Sequence, residues 1–437
     1  MNKRIHLYTH AVTGLMLLFS FSACKKNFTD PSGPSSSQAF SSVGALTDVA
    51  VGLQNWYSAT RGGLVYNTIT TDALLTNQLY VVNAGNTDEA QLGMAGAIQN
   101  TNGVLTGLWA VCNKIIFDAD SVIGQAPRIV PDKNYVSGLI AYASIFKALA
   151  IGDMAMFWDS IPAGVSDKPG GTAVGFISNN QGYLKAIAVI DNALSVVNAN
   201  AISGTFLSNI PKGSVDIINT LYALKARFSL LAGNYPNALT AANSVSRSVK
   251  SVFAYTTVTT NPIFTLATST NNIYQPIDST MGLPVGLQPD LTDKREPFYI
   301  SISTGPRFRI NGFFNSTTAV IPVYLPGEIM LIKAESYTRQ NDLVNGKAWL
   351  DSVVLKQPSQ DLFGVGAGLA TPTVIANQAD LLNQIYKHRS IELFMSGLRL
   401  SDQRRFGRPV AERKRNFLPY PFVERNGNTH TPVDPLF

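Results

Sequence analysis

The chain has 437 residues, of which 45% are hydrophobic and 14% charged, with a formal net charge of +6. That apolar content excludes a fully disordered chain. Beyond the N-terminal leader no apolar run reaches the ~18 residues of a membrane span, which excludes a polytopic membrane protein. Length alone would suit about two to three domains.

The N-terminus reads as a leader. Lys3 and Arg4 form a basic start, and Leu15, Met16, Leu17, Leu18, Phe19 and Phe21 lie in a short apolar tract from Ala11 to Ala23. This is the pattern of a signal peptide over 1–23. Phe21-Ser22-Ala23-Cys24 resembles a bacterial lipobox, with Phe21 where Leu is commoner. The resemblance implies that Cys24 is acylated and becomes the first residue of a membrane-anchored chain. The alternative is an ordinary secreted protein in which Cys24 is incidental. Loss of Lys3 and Arg4 would lower the net charge to +4. Residues 24–42 are rich in Ser and Pro, show no periodicity and read as a lipidated tether.

The body, 43–437, reads as mostly α-helical. Helical spacing is expected over 44–59, which carries Trp56 and Tyr57, and over 104–125, where Leu105, Leu108, Trp109, Cys112, Ile115, Ile116 and Ala119 share a face. Cys112 then reads as a small core residue. Segment 135–157 is apolar on nearly every side and leads into Phe157-Trp158-Asp159-Ser160-Ile161-Pro162. Segment 181–198 follows. Next, 216–232 and 235–247 form a helical hairpin about Gly233 and Pro236, and 326–340 with 343–356 repeats that pattern. These hairpins look like tetratricopeptide-type units, which stack because one unit cannot bury its own apolar face. Residues 60–100 and 250–325 are rich in Gly, Asn, Thr and Pro and read as inserted loop blocks, the second with short strands. A single body is expected, since the helices on both sides of 250–325 share one style. The helix tryptophans Trp56, Trp109, Trp158 and Trp349 are expected in the core.

Templates for catalysis are missing. The sequence contains no GxSxG, HExxH or Walker motif, and Gly364 to Gly368 is off register for a phosphate loop. Two histidines beyond the leader, His388 and His430, are poor material for zinc or a histidine triad. No cofactor is expected. A carboxylate pair for glycoside hydrolysis could come from any part of the chain. Asp72, Asp118, Asp120, Glu328, Glu335 and Glu392, however, all lie on or beside expected helices.

The most informative stretch runs from Ile385 to Gly407. It reads as an amphipathic helix, a break at Gly397 and a second short helix ending at Gly407. Arg389 with Glu392, and Arg399 with Asp402, stand at i,i+3 and are expected to pair. The basic run Arg404, Arg405, Arg408, Arg413, Lys414 and Arg415 reads as a solvated face or partner surface, and no nucleic-acid footprint is evident.

This stretch resembles the "ERRxELxxEGxRxxDLxRxG" element of the SusD/RagB family of surface lipoproteins. Arg389, Glu392, Leu393, Gly397, Arg399, Asp402, Arg405 and Gly407 stand at matching positions, while Lys387-His388, Ser396 and Gln403 depart from it. Further elements resemble the family's in order: Trp109 to Asp120, Phe157 to Pro162, Leu224-Lys225-Ala226-Arg227, Asp293-Lys294-Arg295, Pro326 to Tyr337, and Leu418-Pro419-Tyr420-Pro421.

The resemblance implies a tetratricopeptide-like helical scaffold with a less regular ligand-binding half. It implies a lipid-anchored outer-membrane protein facing the cell exterior, not an enzyme. Such a protein captures glycans or oligopeptides and passes them to a SusC-like TonB-dependent transporter. Sugar rings stack on aromatic side chains while amides bind their hydroxyls. Tyr66, Asn77, Tyr80, Asn83, Asn86, Tyr274 and Tyr299, in the two irregular blocks, are the candidate ligand residues. A membrane-anchored hydrolase and a non-binding helical-repeat scaffold are the alternatives. Acid pairs facing one cleft would favour the first. A body without an aromatic-lined groove would favour the second.

Overall fold

A computed structural model describes residues 40–94, 96–165, 173–211, 213–269, 273–304 and 308–436. The leader, Cys24 and most of the tether lie outside them. Helix α1 (Val43–Ser58) starts where the Ser42 side chain accepts from the Ala45 amide. Helix α2 (Leu64–Leu75) is buried along its whole length, so the 60–100 block is not the open loop expected from its composition. Its threonines explain both the burial and the missed helix. Thr68 and Thr70 hydroxyls donate to the carbonyls of Leu64 and Tyr66 four residues back, at 2.7 and 2.8 Å. They satisfy themselves locally, and no polar stripe marks the period. Strand β1 (Leu79–Val81) and the short α3 (Thr87–Gly93) follow.

Helices α4 (Gly103–Ile129) and α5 (Lys133–Phe157) form the central antiparallel pair. All seven residues expected on one face of α4 are buried, Cys112 among them, and burial raises the Cys112 thiol pKa well above its usual value. Helix α5 is long and apolar enough to cross a membrane by length and composition, but it is a core helix. Its small residues admit neighbours: a Cβ on Gly152 would stand 2.2 Å from the Phe228 ring. A two-stranded antiparallel ribbon pairs β2 (Ser160–Pro162) with β3 (Phe176–Ser178). Helix α6 (Asn179–Ala199), opened by a Ser178–Gln181 capping box, packs on α5.

After α7 (Gly204–Asn209) come α8 (Ile217–Leu231) and α9 (Tyr235–Asn243), the expected hairpin. Gly233 makes its turn at φ +77°, with the Asn234 amide returning to the Ser229 carbonyl at 2.8 Å. The 250–325 block holds the expected short strands: β4 (Val252–Phe253), β5 (Tyr274–Pro276), helix α10 (Arg295–Tyr299), β6 (Ile300–Ile302), β7 (Phe308–Ile310) and β8 (Ile321–Pro322). They pair antiparallel as β1–β5, β4–β8 and β6–β7. The chain then returns to helices: α11 (Pro326–Arg339) with α12 (Leu343–Val354), then α13 (Gln378–Glu392), α14 (Arg399–Arg405) and α15 (Phe422–Gly427). The run α1–α4–α5–α6–α8–α9–α11–α12 is a stack of neighbouring helices, each packed on the next. The architecture is mostly α, a tetratricopeptide-like scaffold with an irregular half. One large apolar core spans it, and a smaller cluster of Met330, Leu331, Leu350, Val353, Leu381 and Ile385 sits among α11, α12 and α13.

Trp109 and Trp158 are buried as expected, with ring centroids 4.9 Å apart. Trp56 is not: it is 46% exposed, with the Lys114 ammonium 5.1 Å from its ring centre. Trp349 is half-buried, under Lys333 and Arg247.

Candidate functional site

Arg389, Glu392, Arg399 and Asp402 of the C-terminal stretch are buried, and their partners differ from those expected. Glu392 does not pair with Arg389. It takes the Arg295 guanidinium at 3.0 Å and the Lys356 ammonium at 2.7 Å. Arg295 also forks onto Asp293 at 2.6 and 2.9 Å, and its Nη2 lies 2.8 Å from His388 Nδ1. A guanidinium only donates, so Nδ1 accepts and the imidazole is neutral. Burial, then Arg295, hold the His388 pKa well below its usual value. Arg389 instead forks onto Asp402 at 3.0 and 3.1 Å, and Arg405 joins Asp402 at 2.7 Å and Glu335 at 2.8 Å. Arg399 misses Asp402 and donates to the carbonyls of Met281 and Ser390 at 2.6 and 2.7 Å. Gly397 and Gly407 take φ +79° and +60° at the break and the end of α14.

The basic run is likewise not a solvated face. Arg404 donates to the Asn416 and Met156 carbonyls at 2.6 Å each, Arg408 pairs with Glu412 at 2.5 Å, and none of the six residues is fully exposed. Other motif residues meet each other too. Arg227 forks onto Glu328 at 2.6 and 2.7 Å, and the Tyr420 hydroxyl donates to Asp159 at 2.6 Å. Long-range pairs such as these have no spacing signature, so i,i+3 reasoning found the wrong ones. Their role is to clamp distant segments.

The ligand candidates separate in the same way. Tyr66 and Tyr274 are buried with their hydroxyls 3.1 Å apart, and burial lifts the Tyr66 pKa to about 12. Tyr299 is buried against Phe298, Phe313 and Phe394, its hydroxyl donating to the Glu392 carbonyl at 2.6 Å. None of these three rings is open to stack on a sugar in this structure. Asn77, at φ +60°, donates to the Glu412 carbonyl at 3.0 Å. Tyr80 is 41% exposed on β1. Asn83 and Asn86 are joined through an Asn86 Nδ2 bond to the Asn83 carbonyl at 3.1 Å.

A cleft of about 360 Å³ opens between the end of α1 with Thr60 and Arg61 and residues 258–266. Asn55, Thr60, Arg61, Thr259, Thr260 and Thr265 supply its polar lining. Arg61 reaches out of the cleft wall to the Glu89 carboxylate and, at 3.4 Å, to Asn86 Oδ1. Thr60 holds φ +62°, a conformation that a β-branched residue rarely adopts. Across the cleft, buried Asn261 fixes the loop. Its amide donates to the Phe313 and Ala319 carbonyls, and its oxygen accepts from the Ile263 and Phe264 amides. A π-helical turn, Phe264–Thr268, follows; such turns recur at functional sites. The Tyr255 hydroxyl, 3.0 Å from the Ser58 carbonyl, ties the two walls together. A lining of hydroxyls, one amide and one guanidinium suits a hydroxylated ligand. No aromatic ring lines this cleft. The sequence reading missed Arg61 and the threonines. The available signal was the Thr-Arg-Gly-Gly turn at 60–63 and the Thr-rich run 256–260. No group of three or more His, Cys, Asp or Glu is placed to hold a metal among the described residues.

No protein-family model matches the chain, and no curated protein sequence does. Solved structures do. A SusD superfamily protein from Bacteroides vulgatus superposes with TM-score 0.70 at 12% identity, over 90% of this chain and 99% of that one. A SusD superfamily protein from Bacteroides thetaiotaomicron gives 0.69 at 14%, over 90% and 100%. A SusD-like carbohydrate binding protein from B. vulgatus gives 0.66 at 16%, over 84% of each chain. At these coverages the likeness takes in the scaffold and the irregular half together, and the chain has the fold of the SusD superfamily.

Proposed function

We propose that this protein is a SusD-like binding lipoprotein, anchored through Cys24 at the outer membrane and facing the cell exterior. In this reading it captures oligosaccharide in the α1 cleft and hands it to a TonB-dependent transporter. An oligopeptide is the other ligand class that the family resemblance allows. The observation that carries the proposal is the SusD fold over 90% of the chain. The carbohydrate binding named for one structural neighbour and the hydroxyl-lined cleft support it. The fate of the acids supports binding over hydrolysis. Glu328, Glu335 and Glu392 are buried and each is held by a largely buried cation, and Asp118 and Asp120 pair with Lys114 and Lys147.

The test is affinity purification of tagged protein from native outer membranes, with mass spectrometry of what accompanies it. A stoichiometric TonB-dependent transporter is the expected result. Recovery of the lipoprotein alone, under conditions that preserve comparable complexes, overturns the delivery role. One observation favours a second reading: the cleft lacks the aromatic wall expected for sugar stacking. A non-binding helical-repeat scaffold would account for that, and it would bind no saccharide in calorimetry.

A further inference from the structure

We infer that the saccharide taken by the α1 cleft carries a carboxylate, and that Arg61 selects it. The inference rests on the saccharide-binding reading above and assigns that site an acidic, uronic-acid-type ligand. Arg61 is the one ionisable side chain in the lining; the other polar groups there are neutral hydroxyls and the Asn55 amide. Its side chain is 49% exposed, whereas that of Glu89 is 3% exposed. Glu89 and Asn86 both engage Nη2. This leaves Nε and Nη1 without a partner among the described residues.

A guanidinium held through Nη2 keeps Nε–H and Nη1–H, which diverge, so each offers a single charge-assisted hydrogen bond to a carboxylate oxygen. Because Glu89 is buried and already holds the side chain, little rotamer freedom remains to be lost when a ligand binds. Burial opposes the charge on Arg61, but the Glu89 carboxylate outweighs it and keeps the guanidinium protonated. No acid lines the cleft, and the one carboxylate at Arg61 is the buried Glu89 that pairs with it. The surrounding threonines then meet ring hydroxyls.

The experiment is calorimetry of the full mature chain with oligogalacturonates and with neutral galacto-, xylo- and malto-oligosaccharides of equal length. Acidic oligomers are expected to bind at least about tenfold tighter than neutral ones, less so at high salt. Arg61→Met should weaken acidic binding about 10- to 100-fold. That variant leaves Glu89 buried and unpaired, so Arg61→Met/Glu89→Gln serves as the folded control and should lose the same preference. Glu89→Gln alone removes the competing carboxylate and should tighten acidic binding by several-fold. Equal or tighter binding of neutral oligomers overturns the carboxylate assignment and leaves the saccharide reading standing. No binding of any saccharide by the folded wild-type chain overturns both.

Discussion

The clamp around Glu392 and the cleft beside Arg61 use the same chemistry for opposite ends. In the clamp, Asp293, Arg295, Lys356 and Glu392 are all buried and each is paired inside the protein. In the cleft, a single guanidinium is held from one side and left open on the other. A buried charge must find its full set of partners or destabilise the fold. Such a set pins distant segments and has nothing left to offer a ligand. A half-exposed charge costs little to keep and retains donors for one. The recognisable sequence elements of this chain are therefore the ones that hold it together, and the cleft proposed to bind saccharide lies where no motif stands.

Four substitutions test that contrast, from largest effect to smallest. Glu392→Ala takes from Arg295 and from Lys356 one of two carboxylate partners, leaving Asp293 and Asp361, and should cost about 3–5 kcal/mol, read by urea unfolding. A loss below about 1 kcal/mol would mean that the clamp is dispensable. Asp153 is buried with the Tyr57 hydroxyl 2.8 Å away, and burial lifts its pKa to about 7. The folded state thus holds a proton that the unfolded chain releases near pH 4. Wild-type stability should fall as pH rises from about 4 to about 7 and then level off. Asp153→Asn should flatten that slope and be about 2–4 kcal/mol more stable than wild type at pH 8. An unaltered slope would show that Asp153 is ionised in the fold. Gly152→Ala drives a methyl into Phe228 and should cost about 1–3 kcal/mol by thermal unfolding; a smaller loss would place slack between α5 and α8. Thr259→Ala, on the cleft rim, should stay within about 0.5 kcal/mol of wild type in stability while weakening saccharide binding about 2- to 10-fold. The reverse pattern would make the cleft structural.

Much of the scaffold was legible in the sequence because its helices are amphipathic or punctuated. The α4 stripe from Leu105 to Ala119 and the Gly233–Pro236 turn read correctly from spacing alone. Helix α2 did not, because burial on every side erases the period and its threonines mimic a loop or strand. Trp56 misled for the opposite reason: it lies on a correctly read helix, but on the face turned to solvent. The Arg389 and Arg399 pairings failed because neighbours along a helix were weighed while burial selected partners from other segments. Three of the tyrosine candidates are buried for a related reason. An aromatic residue in a loop-rich block can just as well roof the core, as Tyr66, Tyr274 and Tyr299 do. The turn at 60–63 and the Thr-rich run 256–260 were visible, but their meeting in one cleft was not, since Arg61 and Thr259 come from segments almost 200 residues apart.

Helix α5 has a consequence for the journey proposed for this chain. On an export route its 25 residues, before folding, would be a segment long and apolar enough by length and composition to cross a membrane. Lys147 and Asp153 stand within that segment, and a charge near the centre of a span costs a few kcal/mol in lipid. In the folded protein one meets Asp120 and the other Tyr57. On the proposed route, with neither partner formed, the same two charges would oppose insertion into lipid.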